Sequence, residues 1–253
     1  MTGLSVIIIT YNEEENISRC IDSVKGIADE VVVLDSLSTD NTVAIARERN
    51  AVIYTHPFEG YIENKNKALS LASYDYTLVL DADEVLSDQL AASIQAVKQK
   101  GFSGAYTMNR CTNYCGKFIR HGTWYPDKKL RLFNRHQAGS GGVSPHDKII
   151  LKEAQPVTWL KGDILHYSYS SIEEHIAQNN RFSSMAADAF FARGKKAGLF
   201  KIVINPLWAF TRAYFIRLGL LDGFYGFVIA VQVAHLTFLK YSKLYQKQRS
   251  IPA

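Results

Sequence analysis

The feature that most constrains this chain is an aliphatic strand closed by a polar cluster, repeated through the first ninety residues. Residues 4–9 form a continuous apolar run, rich in β-branched side chains and too short for a solitary buried helix, which predicts a central strand of a parallel sheet. Thr10-Tyr11-Asn12 ends it. Asn12 is placed to cap the following helix, with Glu13, Glu14 and Glu15 in its first turn, where the helix dipole favours negative charge. The pattern recurs with residues 31–34 as strand, 35–39 as loop, Asp40 as cap and 42–49 as helix. Residues 51–54 give a third strand. After a helical stretch near 65–72, residues 77–80 give a fourth, closed by Asp81-Ala82-Asp83. Strand and helix in alternation imply right-handed crossovers, a mostly parallel sheet with helices on both faces, and ligands at the carboxyl ends of the strands.

Residues 101–169 change character. Gly139-Ser140-Gly141-Gly142, scattered aromatics and several histidines predict loops and antiparallel strands. Beyond Ser171 the pattern is helical, and Ser170 or Ser171 followed by Glu173 and Glu174 marks a helix start. A 47% hydrophobic and 21% charged composition excludes wholesale disorder and a polytopic membrane protein. Three cysteines, an odd number without the dense spacing of a disulfide scaffold, argue for a reducing compartment. Cys111, Cys115 and His121 lack the fourth ligand that a structural zinc site requires. The first residues carry no basic leader pattern, so the expected location is the cytoplasm.

In an open parallel sheet the three polar clusters, Thr10-Tyr11-Asn12 with Glu14, Asp35, and Asp81-Ala82-Asp83, converge on one crevice. Two carboxylates one residue apart can hold a hard cation, Mg²⁺ or Mn²⁺, to which a diphosphate adds oxygen ligands. Neither glycine-rich phosphate-loop pattern follows the first strand, which disfavours a P-loop NTPase and a dinucleotide oxidoreductase.

Residues 5–16 (SVIIITYNEEEN), 35–42 (DSLSTDNT), Asn64-Lys65-Asn66 and 80–84 (LDADE) resemble, in order, the motifs of family 2 glycosyltransferases. The resemblance implies a GT-A fold, a nucleoside-diphosphate sugar donor and inverting transfer. Carried onto this chain, Thr10, Tyr11 and Glu14 would line the nucleoside pocket, Asp35 would face the base, and Lys65 would approach the diphosphate. Asp81 would lie near ribose or sugar, and Asp83 would hold the metal. Residues 121–133 (HGTWYPDKKLRLF), Pro145-His146-Asp147 and 161–169 (KGDILHYSY) resemble a bacterial subgroup that builds lipopolysaccharide core, including β-1,4-glucosyltransferases. That likeness implies UDP-glucose as donor and a glycolipid acceptor, the alternatives being a capsule intermediate, polyprenyl phosphate or a protein as acceptor, or a catalytically silent nucleotide-sugar-binding scaffold. The subgroup commonly has Glu where this chain has Asp147, so a carboxylate is kept with a shorter reach. Inversion needs a base on the acceptor hydroxyl, for which Asp147 is the candidate, with Asp127 and Glu84 as rivals. His166 is a candidate second metal ligand, a hydrogen-bonded structural histidine being the alternative. On this reading residues 1–170 form the catalytic domain, 1–90 serving the donor and 91–170 the acceptor.

Residues 191–253 carry ten Lys or Arg against the single acid Asp222, a net +9 where the rest of the chain carries −4. The longest charge-free stretch there, 223–239, is short for a span of ~20 apolar residues. Residues 171–253 are therefore expected as a helical extension whose basic, aromatic-rich helices lie on an anionic membrane surface, at the inner face of the cytoplasmic membrane. Large aliphatic residues interleaved with the charges argue against nucleic acid.

Overall fold

In the computed structural model, which describes residues 3–143 and 146–249 but not the side chains of Val143, His146 and Asp147, the first aliphatic run is strand β1 (Leu4–Thr10). Helix α1 (Ile17–Val24) leads to β2 (Glu30–Asp35), α2 (Thr42–Glu48) to β3 (Val52–Thr55), and α3 (Tyr61–Leu71) to β4 (Tyr76–Asp81). β1 lies between β2 and β4, parallel to both, and β2 also pairs in parallel with β3. Both faces of β1 are covered, which explains its unbroken apolar sequence. Leu4, Val6 and Ile8 pack with Ile17, Cys20, Ile21 and Val24 of α1, and Ile7 packs with Val32, Val79 and the Ala68–Leu69 face of α3.

The register decides where the polar ends fall. Thr10 pairs with Asp35 and Ile9 with Asp81, so the three clusters finish at one level of the sheet.

Strand β5 (Glu84–Leu86) and helix α4 (Asp88–Lys100) follow, then β6 (Ala105–Tyr114), β7 (Lys117–Phe118), β8 (Asp127–Asn134), β9 (Ala138–Val143), β10 (His146–Leu151) and β11 (Val157–Tyr169). The strand order is β3-β2-β1-β4-β8-β6-β11-β5, with the β4–β8, β8–β6 and β11–β5 pairs antiparallel. The chain is thus α/β, with a parallel half and an antiparallel half as expected. β9 and β10 form a separate two-stranded ribbon.

One expected helix start is different. Asn12 does not cap α1, which begins five residues later at Ile17. Asn12 has a left-handed φ of 51° and its Oδ1 accepts from the Thr39 N–H at 2.8 Å, so it serves a loop instead. Asp40 stands one residue before the N-cap, which is Asn41, but its Oδ1 still accepts from the N–H of Thr42, the first residue of α2, at 3.0 Å.

The chain divides into two units, Met1–Arg110 with Asp127–Tyr167, and Cys111–Pro126 with Ser168–Ala253. The second contains α5 (Ile172–Ala192), α6 (Leu199–Thr211), a π-type turn at Arg212–Ile216, a 3₁₀ turn at Gly219–Asp222 and α7 (Gly223–Arg249). The helix-start signature is realised at α5. Ser171 Oγ accepts from the Glu174 N–H, and the Glu174 carboxylate accepts from Ser170. α5 and α7 pack together through a buried polar pair, Asn179 Nδ2 donating to Gln232 Oε1 at 3.1 Å. Beside it, Tyr114, Trp124, Tyr169, His175 and Tyr225 form an aromatic cluster. His175 Nδ1 lies 3.0 Å from the Tyr114 hydroxyl, and burial pushes the imidazole down to about 4. The stretch Gly219–Arg249 is long and apolar enough to cross a membrane, on length and composition alone.

Candidate active site

At the carboxyl ends of β1, β2 and β4, wholly within the first unit, lies a cleft of about 710 Å³, a volume suited to a small-molecule ligand. Two loops bound it and are stitched to each other. The Asn12 N–H donates to Ser38 Oγ at 2.9 Å, the Glu13 N–H to Thr42 Oγ1 at 2.7 Å and the Glu14 N–H to Asp40 Oδ2 at 3.1 Å. In return, Glu14 Oε2 accepts from the Asn41 N–H at 3.0 Å. The short polar residues of 10–14 and 35–42 thus satisfy one another's backbone.

Tyr11, 58% exposed, lines the cleft, as does buried Thr10, whose Oγ1 has no protein partner. Asp35 is buried and, unlike the adjoining Ser36 and Leu37, does not itself line the cleft. Its Oδ2 accepts from the Ser38 N–H at 3.0 Å while its Oδ1 is left without a protein partner. A buried carboxylate oxygen without a donor is costly to leave unmet, and a ligand N–H would meet it. Glu14 is turned to Asn41, and neither it nor Lys65 is among the side chains lining the cleft.

Asp81 and Asp83 both face the cleft, with different neighbours. Lys65 Nζ lies 3.1 Å from Asp81 Oδ1, and Arg131 Nη2 lies 3.2 Å from Asp81 Oδ2. Burial would raise the Asp81 carboxyl, but Arg131 and Lys65 outweigh it and hold the group well below the usual carboxylate range. Arg131 also bonds Glu84 Oε1 at 2.8 Å, and the other Glu84 oxygen accepts from the Asp81 N–H at 3.0 Å. Asp83 is instead set against His166, Oδ2 to Nε2 at 3.1 Å.

Among the described residues, no three His, Cys, Asp or Glu side chains gather into a complete metal cage. The Asp83–His166 pair fits an ion that draws its remaining ligands from a diphosphate. Their separation matches adjacent ligands of an octahedral ion, each at ~2.1 Å. Burial pushes the Glu13 carboxyl up, a hydrogen bond from Asn16 works against that shift, and the nearby charge of Asp83 adds to it.

Of the other acids, Glu84 is fully buried and committed to Arg131. Asp127 is held by Arg110 at 2.9 Å and Lys129 at 3.1 Å. The Asp147 backbone pairs with Gly142 in the β9–β10 ribbon, while its side chain lies outside the described residues.

The sequence reading passed over four residues. Glu13 lines the cleft, as do Phe58 and Tyr61, which meet edge to face at 5.1 Å. Arg131 orders the acids from below. The signal available for Phe58 and Tyr61 was their place in the loop after a parallel strand and at the first residue of the helix that follows it, where this fold gathers its ligand contacts.

The chain matches the sequence profile of glycosyl transferase family 2 over residues 5–155. It is 35% identical to an uncharacterised glycosyltransferase of Rickettsia typhi, covering 96% of this chain and 87% of the relative. It is also 30% identical to the lipopolysaccharide core biosynthesis glycosyltransferase LpsC of Rhizobium meliloti, covering 96% and 92%. A solved structure with the same fold is the Pyrobaculum calidifontis mannosyltransferase PcManGT in complex with GDP-mannose and Mn²⁺. Its TM-score is 0.54 at 16% identity, over 96% of this chain and 87% of that one.

Proposed function

Because this chain belongs to glycosyl transferase family 2, we propose that it moves a sugar, with inversion, from a nucleoside-diphosphate donor to a membrane-borne glycolipid of the lipopolysaccharide core type. UDP-glucose is the first donor to test. The observation that carries the reading is the cleft at three aligned strand ends, where Asp81 is held by two cations and Asp83 is left facing His166. Thr10 and Tyr11 take the nucleoside, Glu14 bracing their loop through Asn41, and the open oxygen of Asp35 accepts an N–H of the base. Lys65 stands at the diphosphate, and Asp81, oriented by Lys65 and Arg131, faces ribose or sugar. Asp83 and His166 would hold Mg²⁺ or Mn²⁺, which when bound supplies Lewis-acid stabilisation to the departing diphosphate.

Asp147 takes the proton of the acceptor hydroxyl as that oxygen bonds to the anomeric carbon, on the face opposite the diphosphate. The nucleoside diphosphate leaves with the electron pair of the broken bond, and the configuration inverts. The cations bound to Glu84 and Asp127 support this choice, since a carboxylate already committed to Arg or Lys is a poor base. Residues 1–90 serve the donor and 91–170 the acceptor. The likeness to LpsC and the +9 tail support an acceptor met at the inner face of the cytoplasmic membrane.

A panel of nucleotide sugars tests the reading. Hydrolysis in the absence of acceptor should select UDP-glucose, stop in EDTA, return with Mg²⁺ or Mn²⁺, and fall by about 10²-fold or more in Asp83→Ala. Full turnover in EDTA would remove the metal from the scheme.

A further inference from the structure

Helix α6 carries its apolar stripe on the outside. Leu199, Phe200, Val203, Ile204, Leu207 and Trp208 recur at the spacing of one helical face and are 40–74% exposed. α6 also packs on α7, where Phe210 meets Phe227 edge-on at 6.0 Å. A soluble domain places such a stripe inward, so a contiguous exposed one marks a binding face.

The charges around it select the occupant. Lys195, Lys196, Lys201, Arg212 and Arg217 flank the stripe and are exposed. The only acid from 191 onward, Asp222, is buried, its carboxylate accepting from the Arg120 and His121 N–H groups. A second copy would bring two cationic rims together without a compensating acid, whereas anionic headgroups would neutralise the rim while the stripe enters the acyl region. The 13 residues of α6 rise ~20 Å, short of the ~30 Å hydrocarbon core, and the π-type turn ends the helix. α7 is long enough to span, but it is packed against α5 through Gln232 and Asn179.

We propose that the outer stripe of α6, with Phe215 of the following turn, seats the protein in a single leaflet of an anionic bilayer. This deepens, and rests on, the reading of a transferase with a membrane-borne acceptor, by naming the surface that meets the lipid.

The test uses the full chain with phosphatidylcholine–phosphatidylglycerol vesicles carrying brominated acyl chains. Tryptophan emission should be quenched on binding, and Trp208→Phe should lose that quench while still binding. Phe200→Ser with Leu207→Ser should weaken vesicle association at least about tenfold. Nucleotide affinity, measured by calorimetry on the same variants, should not change, and it reports on the donor-site reading separately. Vesicle association unaffected by the serine pair, or a quench that persists in Trp208→Phe, would overturn the proposal. So would a lipid-free dimer that the serine pair dissolves in a protein that ignores vesicles, because the face would then be a self-interface.

Discussion

Asp81 and Asp83 lie two positions apart at the end of one strand, yet their surroundings give them separate tasks. With both Asp81 oxygens drawn to Lys65 and Arg131, its position is fixed, while Asp83 keeps a carboxylate for the cleft. On the proposed reading, the proton transfer then falls to a third acid, Asp147. Asp147→Asn keeps the size and removes the proton acceptor, so we expect nucleotide affinity to survive while transfer falls by about 10² to 10⁴-fold. Calorimetry beside a transfer assay checks this, and near-normal transfer would move the role elsewhere. At this scale the short polar residues at strand ends were legible, because buried parallel strands leave few other places for Thr, Asn and Asp. Arg131 was not. It sits inside the alternating Lys-Leu-Arg-Leu-Phe run of an antiparallel strand, and only the β4–β8 pairing brings that strand beside the acids.

Among the elements, β1, β2 and β4 could be read to within about two residues because their apolar runs are continuous and largely buried, and the exposed edge strand β3 was legible from its β-branched and aromatic residues. The antiparallel half could be read only in kind: in half-exposed strands such as β11, Gly, Lys and Asp carry no clear period. The Lys161-Gly162-Asp163 step has a packing reason. Gly162 has φ +108°, and a Cβ there would stand 2.4 Å from the Leu90 backbone nitrogen, where Ser87 Oγ caps α4 and also accepts from the Asp163 N–H. Gly162→Ala should therefore cost about 2 to 4 kcal/mol, seen as a lower urea midpoint, through both backbone strain and the displaced start of α4. The Asn12 cap failed as an expectation for a related reason. Asn12 could serve either a helix start or a turn, and the neighbouring 35–42 loop supplied the partners for the turn.

For the molecule as a whole, the response to acid has a definite sign. His175 is held neutral by burial, its folded value of about 4 lying below the ordinary 6.5. Its contribution is present above pH 6.5 and is lost as pH falls towards 4, by up to ~3 kcal/mol. Glu13, pushed up by burial, acts oppositely, since protonating it favours the folded state. Asp81, held low, keeps its contribution throughout that window. We expect the thermal midpoint to fall between pH 6.5 and 4.5, and the fall to flatten in His175→Gln; an unchanged slope in that variant would assign the effect to other groups. The charge division was legible from composition, but the outward stripe of α6 was not, since a run of Leu, Phe, Ile and Trp reads equally well as core. The stitched loops at the cleft bear on the thermodynamics of encounter. Residues 12–14 and 38–42 surrender their conformational freedom when the chain folds, at ~1–2 kcal/mol of backbone entropy each, rather than when a nucleotide arrives. If the cleft takes the donor as proposed, donor association lacks the entropic penalty of loop closure on this side of the cleft, and affinity there follows from the contacts themselves.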